Sequence, residues 1–151
     1  MSLPSNFSIL AIPGYYILSF LPHAYALNVA TGGNPGKWDN RNPRAVNLRS
    51  KLQAKLPAET FARYERAEAA SSNSYENMPI FYSAIIIGHL ARLDKAALNA
   101  FAFRYLLVRT AYVFSFVGIS NQKYTPIRTA LYFTGLVMCI RLLIESARRM
   151  A

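Results

Sequence analysis

From Phe7 to Val29 the chain is apolar with few breaks, and none of its first 36 residues is Asp, Glu, Lys or Arg. A helix crossing a bilayer needs about 20 apolar residues, so a membrane span is predicted over about residues 5–30. Pro13 and Pro22 fall inside it, and membrane helices accept proline more readily than helices in water. Ala24-Tyr25-Ala26 has the small-residue spacing of a secretory cleavage site, yet the basic residues that open a secretory leader do not precede the apolar run. Three more apolar segments follow. Asn77 to Ala91 gives 15 residues without a formal charge, Ala96 to Val117 is apolar apart from Arg104 and Arg109, and Pro126 to Ser146 holds 12 residues between Arg128 and Arg141. The expected spans are therefore about 5–30, 73–91, 97–118 and 126–146. Together they predict one domain over 1–151, an all-α, integral membrane four-helix bundle.

Between the first two spans the character changes. Gly32-Gly33-Asn34-Pro35-Gly36 is turn chemistry. The loop over 31–72 is polar and carries eight basic residues: Lys37, Arg41, Arg44, Arg49, Lys51, Lys55, Arg63 and Arg66. Asp39, Glu59, Glu65 and Glu68 accompany them. Pro57 suits a first helical turn, and Phe61 to Ala70 is rich in strong helix formers. A single helix is expected to start there in water and enter the membrane near Asn73. Basic loops face the cytosol, which places the 31–72 loop and the 118–125 loop on that side and both termini in the lumen. Arg148 and Arg149 are the counter-signal.

Composition narrows the function classes. Charged residues make up 16% of the chain and apolar ones 53%, against about 25% charged in a soluble domain. The net charge of +10 could serve nucleic acid, anionic lipid or an anionic small ligand. No zinc-finger spacing or aromatic RNA-binding motif occurs, which argues against nucleic acid. The lone Cys139 lies in an apolar run and reads as a small buried hydrophobe. His23 and His89 sit on different spans without a carboxylate at metal-ligand spacing, so no metal site is expected.

Glu76, Arg104, Arg109 and Arg128 lie in or near membrane-depth segments, where a charge at the bilayer centre costs about 2.5–3.5 kcal/mol even on insertion scales. Tyr105, Arg109, Tyr112 and Phe116 share one helix stripe. Asn73, Glu76 and Asn77 share a face at the start of the second span, as do Arg128 and Tyr132 at the start of the fourth. The assigned topology puts these three faces at one depth, toward the cytosol. One polar, arginine-rich cavity there suits an anionic ligand, because guanidinium pairs two-pronged with carboxylates. The plainer alternative is that Glu76 neutralises Arg109 or Arg128 and fixes helix register.

These positions also carry a resemblance. Glu65-Arg66-Ala67-Glu68-Ala69-Ala70-Ser71-Ser72-Asn73-Ser74-Tyr75-Glu76-Asn77-Met78-Pro79 resembles the signature E-R-A-x-R-A-H-x-N-x-x-E-N-x-P of the MAPEG family, the membrane-associated proteins in eicosanoid and glutathione metabolism. Arg109, Tyr112 and Phe116 are similar to the family's third-helix pattern R-x-x-Y-x-x-x-Y, and Pro126-Ile127-Arg128-Thr129-Ala130-Leu131-Tyr132 to its fourth-helix start P-I-R-S-x-x-Y. The resemblance implies a homotrimer in the endoplasmic reticulum, with glutathione bound between subunits near the cytosolic face. It implies that Asn73, Glu76, Arg109 and Tyr112 hold the tripeptide, with Arg66 one turn from the missing arginine. Arg128 and Thr129 would approach the thiol, with Tyr132 beside them. The implied activity is that of a transferase, peroxidase or isomerase acting on a lipophilic electrophile from the bilayer.

Three positions depart from the pattern: Ala69 replaces an arginine, Ser71 a histidine and Phe116 a tyrosine, while Thr129 keeps a hydroxyl in place of serine. They motivate two other readings. The same cavity could isomerise or cyclise a hydrophobic substrate without glutathione, with Glu76 as acid or base and Tyr112, Tyr132 or Arg128 stabilising an oxyanion. The third reading is a lipid-binding scaffold without catalysis.

Overall fold

The computed structural model describes residues 6–43 and 45–151. Residue 5 of the first expected span, and Arg44 of the basic loop, lie outside the described residues. Among those described, all regular structure is helical: α1 (Phe7–Thr31), α2 (Leu48–Lys55), α3 (Ala58–Glu76), α4 (Met78–Leu90), α5 (Lys95–Gly118) and α6 (Pro126–Met150). Single 3-10 turns sit at Pro35–Lys37 and Gln122–Tyr124. Among the described residues three segments are long and apolar enough to cross a membrane, namely Phe7–Thr31, Lys95–Gly118 and Gln122–Met150.

The region expected to hold the second span differs from the continuous helix read from sequence. The helix that opens at Ala58 stops at Glu76, and α4 starts afresh at Met78. Pro79 is the cause. Its nitrogen has no proton to give the carbonyl of Tyr75, and its ring crowds that turn. The Asn77 amide turns to the Tyr75 carbonyl instead, and the Asn77 side chain donates to the carbonyl of Asn73 at 2.8 Å. At 13 residues α4 spans about 20 Å, less than the roughly 30 Å hydrocarbon core. The polar loop also holds an unexpected helix, α2, whose Leu52 is buried with Phe61 and Tyr64 of α3 and Ala26 of α1.

Pairwise contacts fix the topology. Tyr15, Ser19 and His23 of α1 bond to Ser74, Ser71 and Glu68 of α3 in turn, one number rising as the other falls. Asn73 and Arg66 of α3 meet Tyr112 and Val117 of α5, and Phe116 and Tyr112 of α5 meet Arg128 and Tyr132 of α6. Neighbours in sequence thus run antiparallel, up and down. The C-terminal end of α1, the middle of α3, the end of α5 and the start of α6 share one end of the bundle.

The α1–α3 seam is built from small residues. Ser19 and Ala26 of α1 and Ala67, Ala70, Ser71 and Ser74 of α3 are all buried. Small side chains let membrane helices approach closely, where dispersion and interhelical hydrogen bonds replace the absent hydrophobic drive. Here Ser71 Oγ donates to the Ser19 carbonyl at 2.8 Å and Tyr15 Oη to the Ser74 carbonyl at 3.0 Å. Toward the middle, Phe81 stacks on Tyr105 with centroids 4.3 Å apart, and Tyr15 sets its edge against both. Cys139 is sealed in the same core.

The far end closes where Gly88 of α4 passes Leu98 and Ser146. A methyl group on Gly88 would come within 2.7 Å of Leu98 Cδ2, and Leu98 has no exposed surface. Gly88→Ala is therefore expected to destabilise the fold by about 1 kcal/mol, the low end of overpacking costs. Thermal unfolding in detergent should fall by about 2–4 °C; an unchanged midpoint would show that Leu98 moves aside freely.

Candidate functional site

Arg109 projects from the middle of α5 into the bundle, where it has no exposed surface. Its guanidinium carbon lies 4.3 Å from the Tyr112 ring centre and 5.7 Å from that of Tyr15. Nη2 donates to the Asn73 carbonyl and Ser74 Oγ, both at 3.4 Å, while Nε and Nη1 have no partner. No carboxylate pairs with it among the described residues. Proline again explains the arrangement: the Asn73 carbonyl lies at the loosened end of α3, where it accepts from both Asn77 and Arg109.

Asn73 faces the other way as well. Its Nδ2 donates to Tyr112 Oη at 3.0 Å, which leaves its carboxamide oxygen as an acceptor. The Tyr112 ring lies 5.5 Å from Phe116 and 6.3 Å from Tyr132. One turn nearer the loops, Arg128 stands 4.7 Å over the Phe116 ring and donates to the carbonyl of Ile119. Arg66 donates to the carbonyl of Val117 at 3.2 Å. Two guanidiniums are thus tethered to the frayed carbonyls at the end of α5, where the helix dipole is negative. No acid pairs with Arg66 or Arg128 among the described residues. Arg128 Nε is buried without a partner.

The structure therefore brings together Asn73, Arg109, Tyr112, Tyr132, Arg128 and Arg66. It does not bring in Glu76 or Thr129, which are exposed on the single chain. Glu76 makes no ion pair among the described residues, so the reading in which it neutralises an arginine has no contact behind it here. Arg109 is enclosed rather than open to a cavity; its contacts position Asn73 and Tyr112. Of the departures from the signature, Ser71 is spent on the α1–α3 seam, and Phe116 forms the face on which Arg128 rests.

Sequence reasoning missed a second cluster. His23 Nδ1 lies 2.8 Å from Glu68 Oε1, at the wall of a cavity of about 660 Å³ between α1, α3 and the following loop. The two residues are 45 positions apart. A signal existed in retrospect, because Glu68 and Ser71 share a face of α3 and Ser19 and His23 share a face of α1.

Because two of its nitrogens are unsatisfied, Arg109 contributes volume more than charge pairing. Arg109→Ala should cost about 2–5 kcal/mol as a cavity. Arg109→Met, which refills the space without a buried charge, should melt well above the alanine variant. A methionine variant no better than alanine would show that the two 3.4 Å contacts and the ring stacking carry the stability.

Comparison with known proteins bears on the same residues. No curated protein and no solved structure matches the chain. The description of the MAPEG family matches residues 8–148, nearly the whole chain and every residue of both arginine clusters. With helices of membrane-crossing length and no strand among the described residues, this chain belongs to the MAPEG family.

Proposed function

We propose that the protein is a membrane-embedded, glutathione-dependent enzyme acting on a lipophilic electrophile, with its site at the loop end of the bundle. The observation that carries this reading is that Arg66 and Arg128 are both tethered to carbonyls at the end of α5, with no acid paired to either among the described residues. Two cations gathered at one helix end attract an anion, which neutralises them further than the helix dipole does. The unpartnered Arg128 Nε, the free carboxamide oxygen of Asn73 and the exposed carboxylate of Glu76 supply donors and acceptors of the kinds a zwitterionic tripeptide requires. The residues present thus fit glutathione, which when bound supplies a sulfur nucleophile.

Each residue then has a role. Arg66 and Glu76 bind opposite charges of the tripeptide, and Asn73, set by Tyr112 and Arg109, takes a polar backbone group. Arg128 faces the sulfur and holds it as thiolate, since a free thiol has a pKa near ~8.5 and reacts in its ionised form. The Thr129 hydroxyl donates to the same sulfur, and Tyr132 lies one turn deeper against Tyr112. The exposure of Glu76 and Thr129 on the single chain fits a site completed by a neighbouring subunit. We accordingly place the protein as a homotrimer of one-domain subunits. Each would have four spans, the second formed by the end of α3 with α4. The loops would face the cytosol, in the endoplasmic reticulum membrane.

A second reading has its own support. With Phe116 beneath Arg128 and Ala69 in the signature, the site has fewer polar groups than the family pattern. A lipophilic substrate could be isomerised or cyclised there without a thiol.

Calorimetric titration of the detergent-purified protein with reduced glutathione should show saturable binding at or below millimolar concentration. Arg128→Ala should weaken it by about 2 kcal/mol or more, the usual result of removing one partner of a desolvated charge pair. Absence of binding at millimolar thiol would sink the first reading in favour of the second.

Thr129→Val removes a hydroxyl that makes no hydrogen bond among the described residues. Unfolding should be unchanged, while glutathione-dependent turnover of 1-chloro-2,4-dinitrobenzene should fall by about 100-fold, the effect of losing one donor to a developing anion. Full activity in the variant would remove Thr129 from the chemistry.

A further inference from the structure

The cavity beside His23 stands apart from the arginine cluster. It lies between α1 and α3 and is roofed by the loop that follows α1. Its volume of about 660 Å³ is in the range of small-molecule pockets. Phe20, Trp38, Tyr64 and Tyr75 give it aromatic walls, and His23, Glu68, Ser71 and Ser72 make up its polar edge.

The polar edge is ordered. Glu68 Oε1 holds His23 Nδ1 at 2.8 Å, and Phe20 packs against the imidazole at 5.8 Å. A carboxylate on one ring nitrogen fixes that nitrogen as the proton-bearing one and leaves the other as a base. His23 Nε2 has no partner among the described residues. Neither side chain is sealed, with 38% of His23 and 31% of Glu68 exposed. An interhelical clamp alone would not need a face open to a cavity. Tyr64 lies on the same wall, its phenol pushed up to about 12 by burial, and then by Glu68 and Glu65. It stays a hydrogen-bond donor over the physiological range.

We propose that this cavity is a second site, independent of glutathione, which binds neutral lipophilic aromatic or polycyclic carbonyl compounds and moves a proton on them. His23 Nε2 removes a proton from the carbon next to the carbonyl, and the electron pair of that bond passes to the carbonyl oxygen as an enolate. The Tyr64 hydroxyl donates to this oxygen. The imidazolium then returns its proton to the same carbon or, in a conjugated substrate, to the far end of the system. The base is regenerated and no co-reactant is consumed, so the net result is exchange or isomerisation. Glu68 is a positioning residue: it holds the tautomer and stabilises the imidazolium.

The chain carries its own reporter, since Trp38 is its one tryptophan. The probe is 1-indanone, added to the full-length protein in micelles made in deuterated buffer without glutathione. Trp38 emission should be quenched saturably, and deuterium should enter the carbon next to the carbonyl at least tenfold faster than in protein-free micelles. His23→Gln should abolish the acceleration and keep the quenching. Glu68→Gln keeps an acceptor for Nδ1 and so guards against a misfolded histidine variant. It should slow exchange about tenfold or more without moving the probe concentration at half-quenching, a split that a merely structural pair would not produce. Three results would overturn the proposal: no saturable quenching, no acceleration by the unaltered protein, or acceleration that survives His23→Gln. Exchange that requires added glutathione would also overturn it, and would assign the chemistry to the arginine cluster.

Discussion

A guanidinium with no exposed surface constrains everything around it. Arg109 has no carboxylate partner among the described residues, so its guanidinium is met by ring faces and by oxygen atoms that helices normally keep for themselves. That requirement makes sense of two local features at once. Tyr112 and Tyr15 stand where their π-faces are useful. α3 ends early, which frees the carbonyl of Asn73. Gly135 on α6 faces the arginine stem, and an added Cβ there would meet Arg109 Cδ at 3.5 Å, an ordinary van der Waals contact. The broken helix is thus part of how a charge is housed at membrane depth.

The same break divides two environments. Above it, α3 carries charged side chains and ties to the polar loop through Arg49 and Glu65, 2.6 Å apart. In that loop Arg41 grips Asp39 and holds its carboxyl down at about 2. Below it, α4 packs through Met78, Phe81, Ala84, Ile85 and Gly88, with no charged side chain among them. Both polar clusters lie above or beside the break and use α3 as their shared wall, the arginine cluster on the side of α5 and the histidine cavity on the side of α1.

Much of the architecture was legible in the residues. Long uncharged runs announce helices because a bilayer leaves few alternatives, and α1, α5 and α6 match their expected spans to within a few residues, with α6 running on to Met150. The stop at Asn77 was written in Pro79 but overlooked, since proline was weighed as tolerated in membrane helices. The helix α2 was missed because eight residues with a single buried leucine give too short a period to stand out. Within the site, periodicity told which residues share a face, and Asn73, Tyr112, Tyr132 and Arg128 do lie together. It could not tell how deep a face is buried, so Arg109 was read as lining a cavity it does not reach. His23 was passed over for a different reason. Its partner is distant in sequence, and nothing in a single chain of letters pairs two helices in register.

Cys139 gains a meaning from its place in the core. It is the chain's one cysteine and has no exposed surface. The folded chain therefore offers a thiol-reactive electrophile no sulfur of its own, and stays unalkylated while the bundle is closed. The thiol becomes a clock for the bundle: a labelling reagent reaches it only when the helices part, so its rate of modification measures how often the membrane-embedded core opens.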